Sequence, residues 1–298
     1  MGSVRDLTSA SPSASVFSKA SLFVDSVKFQ ESSFALPFAY TGMVLAADGL
    51  PTWHQFVWIT VAMVSARTFG MSANRVIDRH LDALNPRTAD RHLPAGSLRV
   101  VDVALPAVVS LGILFLSAAM LNPLALALAP VAAGYLVLYP YTKRCTWAAN
   151  LMLGWALAIA PSAAWIGVTG SLTWEPVLLS AAVAFWAGSF DILYHVQDVE
   201  FYARQGLHSL ARRFGVNVAF RWALLLDIVA LGSLTALGLW MDLAWVYYIG
   251  LSAAAVLLVY KRRLVSPDDT SQIGMTFFRI NAYVSTSVFL ATLAAVLI

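Results

Sequence analysis

Residues 56–82 read Phe56-Val-Trp-Ile-Thr-Val-Ala-Met-Val-Ser-Ala-Arg67-Thr-Phe-Gly-Met-Ser-Ala-Asn74-Arg-Val-Ile-Asp78-Arg-His-Leu-Asp82. A spanning helix needs about 20 mostly apolar residues, and the run from Phe56 to Asn74 supplies one. Asn74, Asp78 and Asp82 are spaced i, i+4 and i+8, so on a helix they share one face. Three oxygen-bearing side chains in register at the end of a membrane helix suit a hard cation. Magnesium in particular prefers one or two carboxylates, several waters and substrate phosphate oxygens. The competing interpretation is an ordinary charged helix terminus, with Arg75 and Arg79 interleaved. Arg67 lies inside the apolar run. A charged group at membrane depth costs at least about 2.5 kcal/mol on insertion scales, so Arg67 is expected to face a polar cavity.

The rest of the chain has the same character. Of 298 residues, 59% are hydrophobic and 12% charged, and the mean hydropathy is +0.73. Soluble domains carry roughly 25% charge, so a soluble fold would expose aggregating apolar patches. The chain is therefore read as an all-α, polytopic membrane protein. Cys145 is the single cysteine, which excludes an intrachain disulfide and a cysteine metal cluster. Residues 1–27 are Ser-rich and polar and lack the apolar core of a signal peptide. They read as a cytosolic leader, and residues 28–298 as one transmembrane domain.

Nine spans are expected, running approximately from Ser33 to Ala47, Phe56 to Asn74, Val103 to Leu121, Leu124 to Tyr141, Ala148 to Val168, Val177 to Tyr194, Val218 to Trp240, Leu243 to Tyr260 and Phe277 to Ile298. The first is short and contains Pro37, so it could begin nearer Lys28. With the N-terminus inside and the C-terminus outside, the inner segments are 1–32, 75–102, 142–147, 195–217 and 261–276. No Lys or Arg falls in the outer segments 48–55, 122–123, 169–176 and 241–242. Eighteen of the 19 basic residues lie in inner segments or at inner helix ends, with Arg67 the exception. The positive-inside rule thus sets the orientation, and the basic balance reads as topology rather than nucleic-acid binding.

A second polar face ends the sixth span. Asp191, Tyr194 or His195, and Asp198 recur at helical spacing in Ser189-Phe-Asp191-Ile-Leu-Tyr194-His195-Val-Gln197-Asp198-Val-Glu200. Both motif helices run outside to inside, so two acidic faces can meet at the inner surface. Such a pair suits two magnesium ions clamping a diphosphate. Arg87 and Arg91 follow the first motif, Lys143 and Arg144 follow Tyr139-Pro-Tyr-Thr142, and Arg212 and Arg213 follow the second motif. Guanidinium forks match phosphate oxygens, although each cluster also serves as a topology marker.

The first motif, with Asn85-Pro86-Arg87-Thr88 and Leu93-Pro94-Ala95-Gly96, and the stretch from Asp191 to Ser209 together resemble the two signatures of the UbiA superfamily of intramembrane aromatic prenyltransferases. The entry from Lys28 to Phe38 and the corner from Tyr139 to Arg144 are similar as well, so the resemblance extends from about Lys28 to the C-terminus. Gln197-Asp198-Val-Glu200-Phe201 is most similar to the quinone-pathway branch, 4-hydroxybenzoate polyprenyltransferases and menaquinone enzymes of the futalosine route. The resemblance implies a bundle of nine helices around a central cavity in the cell (inner) membrane. Its partners would be a polyprenyl diphosphate, an aromatic acceptor and the lipid bilayer, with no nucleic acid. It implies Mg²⁺ held by Asn74, Asp78, Asp82, Asp191 and Asp198. The diphosphate would be bound by Asn74, Arg67, Arg87, Arg91, Lys143 and Arg144. One departure stands out: the family usually carries a second acid four residues after Asp198, where this chain has Tyr202. Glu200 could compensate only if the helix unwinds there.

The expected chemistry is ionisation of the allylic C–O bond and attack by a hydroxylated aromatic carboxylate, naphthoate or 4-hydroxybenzoate. Phe190, Tyr194 and Trp186 are candidates to shield the cation through their π faces. A terpene cyclase of the same superfamily is the alternative. A transporter is the rival from another class, opposed by acids that gather at the inner surface rather than at the midplane.

Overall fold

The computed structural model describes residues 16–28 and 35–298, with side chains described for all of these except 16–18 and 275–277. Residues 1–15 of the leader, Ser33 and Phe34 at the expected start of the first span, and the side chain of Phe277 at the start of the ninth lie outside the described residues. Among the described residues the protein is all-helical, without strands. The principal helices are α1 (Val16–Ser26), α2 (Leu36–Ala47), α3 (Trp53–Leu84), α4 (Val100–Leu121), α5 (Pro123–Leu138), α6 (Ala149–Thr169) and α7 (Trp174–His195). They continue with the short α8 (Val199–Arg204) and α9 (Leu210–Phe214), then α10 (Val216–Trp240), α11 (Trp245–Leu264) and α12 (Ile273–Val296).

Seven of the helical segments are long and apolar enough to cross a membrane. Of the other two expected spans, α2 is a 12-residue apolar helix. The second, α11, has 20 residues but ends in Lys261-Arg262-Arg263. Consecutive long helices pack on one another from α3 to α7 and on through α10, α11 and α12, and α2 inserts between α6 and α12. The buried core centres on α7, where Leu179, Val183, Trp186 and Phe190 meet Phe38, Trp165, Leu234 and Tyr247. Outward faces of the bundle expose Leu105, Val131, Ile228 and Val256, as lipid-facing surfaces do. Trp53, Trp174, Trp240 and Trp245 are exposed at helix ends opposite the site described below. Such tryptophans mark a membrane–water interface.

The run from Phe56 to Asp82 forms part of a single helix, α3. Thr52 and Gln55 form a reciprocal capping box at the start of α3, Oγ1 accepting from the Gln55 N–H at 3.2 Å and Gln55 Oε1 accepting from the Thr52 N–H at 3.0 Å. The helix then runs unbroken to Leu84, carrying the first motif as an extension of the span. The described part of the leader is also structured. Leu22 and Phe23 of α1 pack on Leu93, Leu98 and Val103, and Lys19 pairs with Asp102 at 3.2 Å.

Asp227, an acid in the middle of an apolar helix, lies apart from the first motif. It is 3% exposed on α10 and meets Lys261 Nζ at 3.1 Å and Arg262 Nη2 at 2.7 Å from α11. Removing one member of a buried ion group strands the others, which costs about 3–5 kcal/mol. Asp227→Ala is therefore expected to lower the thermal midpoint in detergent sharply, which a thermal melt checks.

Candidate active site

At the C-terminal ends of α3 and α7 the bundle encloses a cavity of about 200 Å³. Asn74, Asp78, Asp82, Asp191 and Asp198 all line it, so the two acidic faces meet in one space. Arg67, Arg87, Arg91 and Lys143 line it too, as do Lys28 and Arg75. Among the described residues, six Lys and Arg and four Asp line the cavity, so anion-binding cations stand beside the carboxylates.

Each acid is held by specific partners. Asp78, 2% exposed, accepts from Lys143 Nζ at 2.5 Å, Arg144 Nη2 at 3.1 Å and Asn74 Nδ2 at 3.4 Å. Lys143 and Arg144 reach it because Pro140 starts a tight 3₁₀ turn, Tyr139–Arg144, that brings both past the end of α5. Asp82 accepts from Arg91 Nη1 at 2.8 Å, and Thr88 Oγ1 donates to the Asp82 carbonyl at 3.0 Å. Asp198 receives a fork from Arg87, Nε to Oδ1 at 3.0 Å and Nη2 to Oδ2 at 2.5 Å, plus the Asn85 amide at 3.0 Å. Arg87 also donates to the Tyr194 hydroxyl at 2.7 Å and lies over that ring. Burial opposes the Arg87 charge, but the hydrogen bond to Asp198 and the negative charge of that carboxylate outweigh it and hold its pKa above the ordinary guanidinium value. Asp191 meets the Asn150 amide at 2.8 Å and His195 Nδ1 at 3.3 Å.

Several placements differ from the sequence reading. Arg144 does not border the cavity; it holds Asp78 from outside and donates to the carbonyls of Pro140 and Ile77. Trp186 stands behind the cavity wall, edge to face with Phe190 at 4.9 Å, whereas Phe190 and Tyr194 line it. The second motif does break its helix, through a 3₁₀ turn at Val196–Asp198. Even so, Glu200 points outward, its side chain 91% exposed beside Arg204. Tyr202 lines the cavity, buried against the His195 ring at 5.7 Å. Tyr202→Phe is expected to leave divalent-cation affinity essentially unchanged, since an un-ionised phenol is a poor hard-cation ligand; a metal titration of that variant checks it. Asn85 stands in the first signature without a role of its own, and Asn150 has no place in the sequence reading. For Asn150, an amide near the start of an otherwise apolar helix was the available signal.

Among the described residues no three His, Cys, Asp or Glu side chains converge to cage a metal. The donors instead suit a hard cation shared with substrate. Carboxylate oxygens on two facing helix ends border a space that also carries anion-binding cations, and magnesium takes one or two carboxylates and completes its shell elsewhere.

Apolar helices around a cavity where two acidic faces meet guanidinium and ammonium groups define an intramembrane enzyme. The chain belongs to the UbiA prenyltransferase family, whose profile matches residues 35–283. It is 31% identical to the 4-hydroxybenzoate octaprenyltransferase of Aliivibrio fischeri (strain ATCC 700601 / ES114) over 257 residues, 86% of this chain and 89% of that one. The enzyme of the same name from Hydrogenovibrio crunogenus is 29% identical over 238 residues, 78% of this chain and 81% of that one. Among solved structures, the apo UbiA homolog from Aeropyrum pernix K1 superposes with a TM-score of 0.77 at 26% identity, covering 89% of this chain and 96% of that one. A UbiA homolog from Archaeoglobus fulgidus bound to DMAPP and Mg²⁺ shares the fold, with a TM-score of 0.65 at 17% identity over 89% of this chain and 98% of that one.

Proposed function

We propose that the protein transfers a polyprenyl group from an allylic polyprenyl diphosphate to the ring of 4-hydroxybenzoate in membrane quinone synthesis. The observation that carries the proposal is the convergence of both acidic faces and six cations in one cavity at the end of a lipid-facing bundle. The names of the similar enzymes favour benzoate over naphthoate as acceptor. The full architecture would be nine spans within residues 28–298, in the cell membrane. The N-terminus and the site would be cytoplasmic and the C-terminus outside, as the basic segments require.

Asn74, Asp78 and Asp82 from α3, with Asp191 from α7 and Asp198 from the 3₁₀ turn that follows it, would hold Mg²⁺. When bound, that metal supplies positive charge at the leaving diphosphate. Lys143, Arg87 and Arg91 would turn from their carboxylates to diphosphate oxygens, an exchange that keeps every charge paired. With Arg67 they stabilise the negative charge that grows as the allylic C–O bond breaks. Phe190 and Tyr194 present π faces to the allylic cation, and the surrounding helices keep water from it. The aromatic ring then forms its bond to carbon one of the prenyl group and loses a proton.

The acceptor is tested by mass spectrometry of products from purified protein in liposomes, given polyprenyl diphosphate with 4-hydroxybenzoate or 1,4-dihydroxy-6-naphthoate. Prenylated benzoate formed with Mg²⁺ and abolished by EDTA is the expected result. Prenylated naphthoate alone would reassign the acceptor, and a hydrocarbon or cyclic product without acceptor would indicate a terpene cyclase.

A further inference from the structure

We propose that Asn150 is a positioning residue for the metal–diphosphate complex, acting by fixing the Asp191 carboxylate; the inference rests on the function proposed above. Asp78, Asp82 and Asp198 each meet a guanidinium or ammonium group, whereas the partners of Asp191 are an amide and an imidazole. The Asn150 side chain, 3% exposed, is anchored at both ends. Its Nδ2 donates to Asp191 Oδ2 at 2.8 Å and its Oδ1 accepts from the Leu210 N–H at 3.4 Å. A flipped amide would set oxygen against carboxylate and N–H against N–H, so one orientation is imposed.

The backbone beneath this bond is equally constrained. Gly154, one turn after Asn150, and Gly188, one turn before Asp191, lie where α6 and α7 touch. A Cβ on Gly154 would strike the Ala184 carbonyl and the Gly188 nitrogen. The two helices therefore cannot slide apart or rotate without breaking backbone packing next to the bond. A group held this way on rigid elements keeps its ligand geometry.

Asn150 donates to Oδ2, and His195 Nδ1, hydrogen-bonded to the Asp191 carbonyl at 3.0 Å, lies 3.3 Å from the same Oδ2, which leaves Oδ1 for a ligand in the cavity that Asp191 lines. A neutral amide orients the carboxylate without cancelling its charge. Asp191 can thus meet a cation without first giving up an ammonium partner, as Asp78 must give up Lys143. Through Leu210, the same amide ties this geometry to α9, which follows the second motif.

The test is Mn²⁺ binding, followed by electron paramagnetic resonance, to the purified full chain in nanodiscs with inorganic diphosphate. Loss of an outer-shell partner of a metal ligand typically weakens metal binding 10–100-fold. Asn150→Leu is expected to raise the Mn²⁺ dissociation constant by about that factor, to raise the Mg²⁺ requirement of the reaction in parallel and to leave KM for the acceptor unchanged. Asn150→Gln should recover part of the loss. Asn150→Ser, too short to reach Asp191, carries the same expectation as the leucine variant should that one fail to fold. Asn122 is the control: its amide donates to the Ile166 carbonyl and accepts from Ala125 N–H, away from the cavity. Asn122→Leu should lower thermal stability and leave the metal constant in place. Wild-type Mn²⁺ affinity in the Asn150→Leu or Asn150→Ser protein overturns the inference, as does an equal shift in Asn122→Leu. Wild-type protein that binds Mn²⁺ with diphosphate but transfers no prenyl group counts against the proposed function alone.

Discussion

Asp78→Ala is expected to lower prenyl transfer on the order of 10²–10³-fold, the range seen when one preorganised electrostatic contact to a transition state is removed. The reason lies in what surrounds the carboxylate. Asp78 sits in the middle of the first acidic face and gathers Asn74, Lys143 and Arg144 onto its two oxygens. Without it the proposed metal site would lose its central ligand on α3, and Lys143 loses the anchor that holds it at the cavity edge. Asp78→Asn keeps the shape and isolates the charge, so it should lose nearly as much activity with a smaller change in melting temperature. Initial rates at saturating Mg²⁺, beside thermal melts, separate the two contributions. Near-wild-type turnover in the folded alanine variant would remove the first motif from the chemistry.

The second large effect is expected at Arg87. This side chain joins the loop after α3 to the second motif, forking onto Asp198 and donating to Tyr194. Arg87→Ala should lower the rate on the order of 10²-fold and raise KM for the prenyl diphosphate. Arg87→Lys should recover little, because an ammonium is a point charge and cannot reproduce two parallel bonds to a carboxylate or phosphate. The sign of the pH dependence follows from its raised pKa. A cation whose folded pKa is raised contributes fully below its unfolded value and is lost only above the folded one. The wild-type to alanine rate ratio should accordingly stay flat from about pH 6 to pH 9. A ratio that collapses within that window, or full activity in the lysine variant, would contradict this role.

Much of this was legible in the sequence because helical spacing states directly which side chains share a face. Asn74, Asp78 and Asp82 on one helix need only its period and the direction of its span, and the same period brings Asp191 and Asp198 to one side although a 3₁₀ turn at Val196–Asp198 follows α7. Apolar segment lengths and the positions of Lys and Arg located the helices. The remainder depends on contacts between residues far apart in the chain. Asn85 reaches Asp198 across 113 positions and Asn150 reaches Asp191 across 41, and no local pattern records either pairing. Arg144 is adjacent to Lys143, yet the 3₁₀ turn sends one behind Asp78 and the other into the cavity. Asp227, like Asp191, is an acid in an apolar run, and only the arrival of Lys261 and Arg262 from α11 shows that it belongs to the packing of that helix. The outward turn of Glu200 likewise depends on how the chain leaves the 3₁₀ turn at Asp198.

Both acidic faces are proposed to serve one metal-dependent transfer from a prenyl diphosphate. Counting two products at once, inorganic diphosphate and prenylated 4-hydroxybenzoate, from purified wild-type protein in liposomes with and without Mg²⁺ is the deciding measurement. Equal amounts of the two are expected with Mg²⁺, and neither with EDTA or in a chain carrying Asp78→Ala together with Asp198→Ala. Diphosphate and prenylated product formed at the wild-type rate in EDTA, or by that double variant, would contradict that proposal.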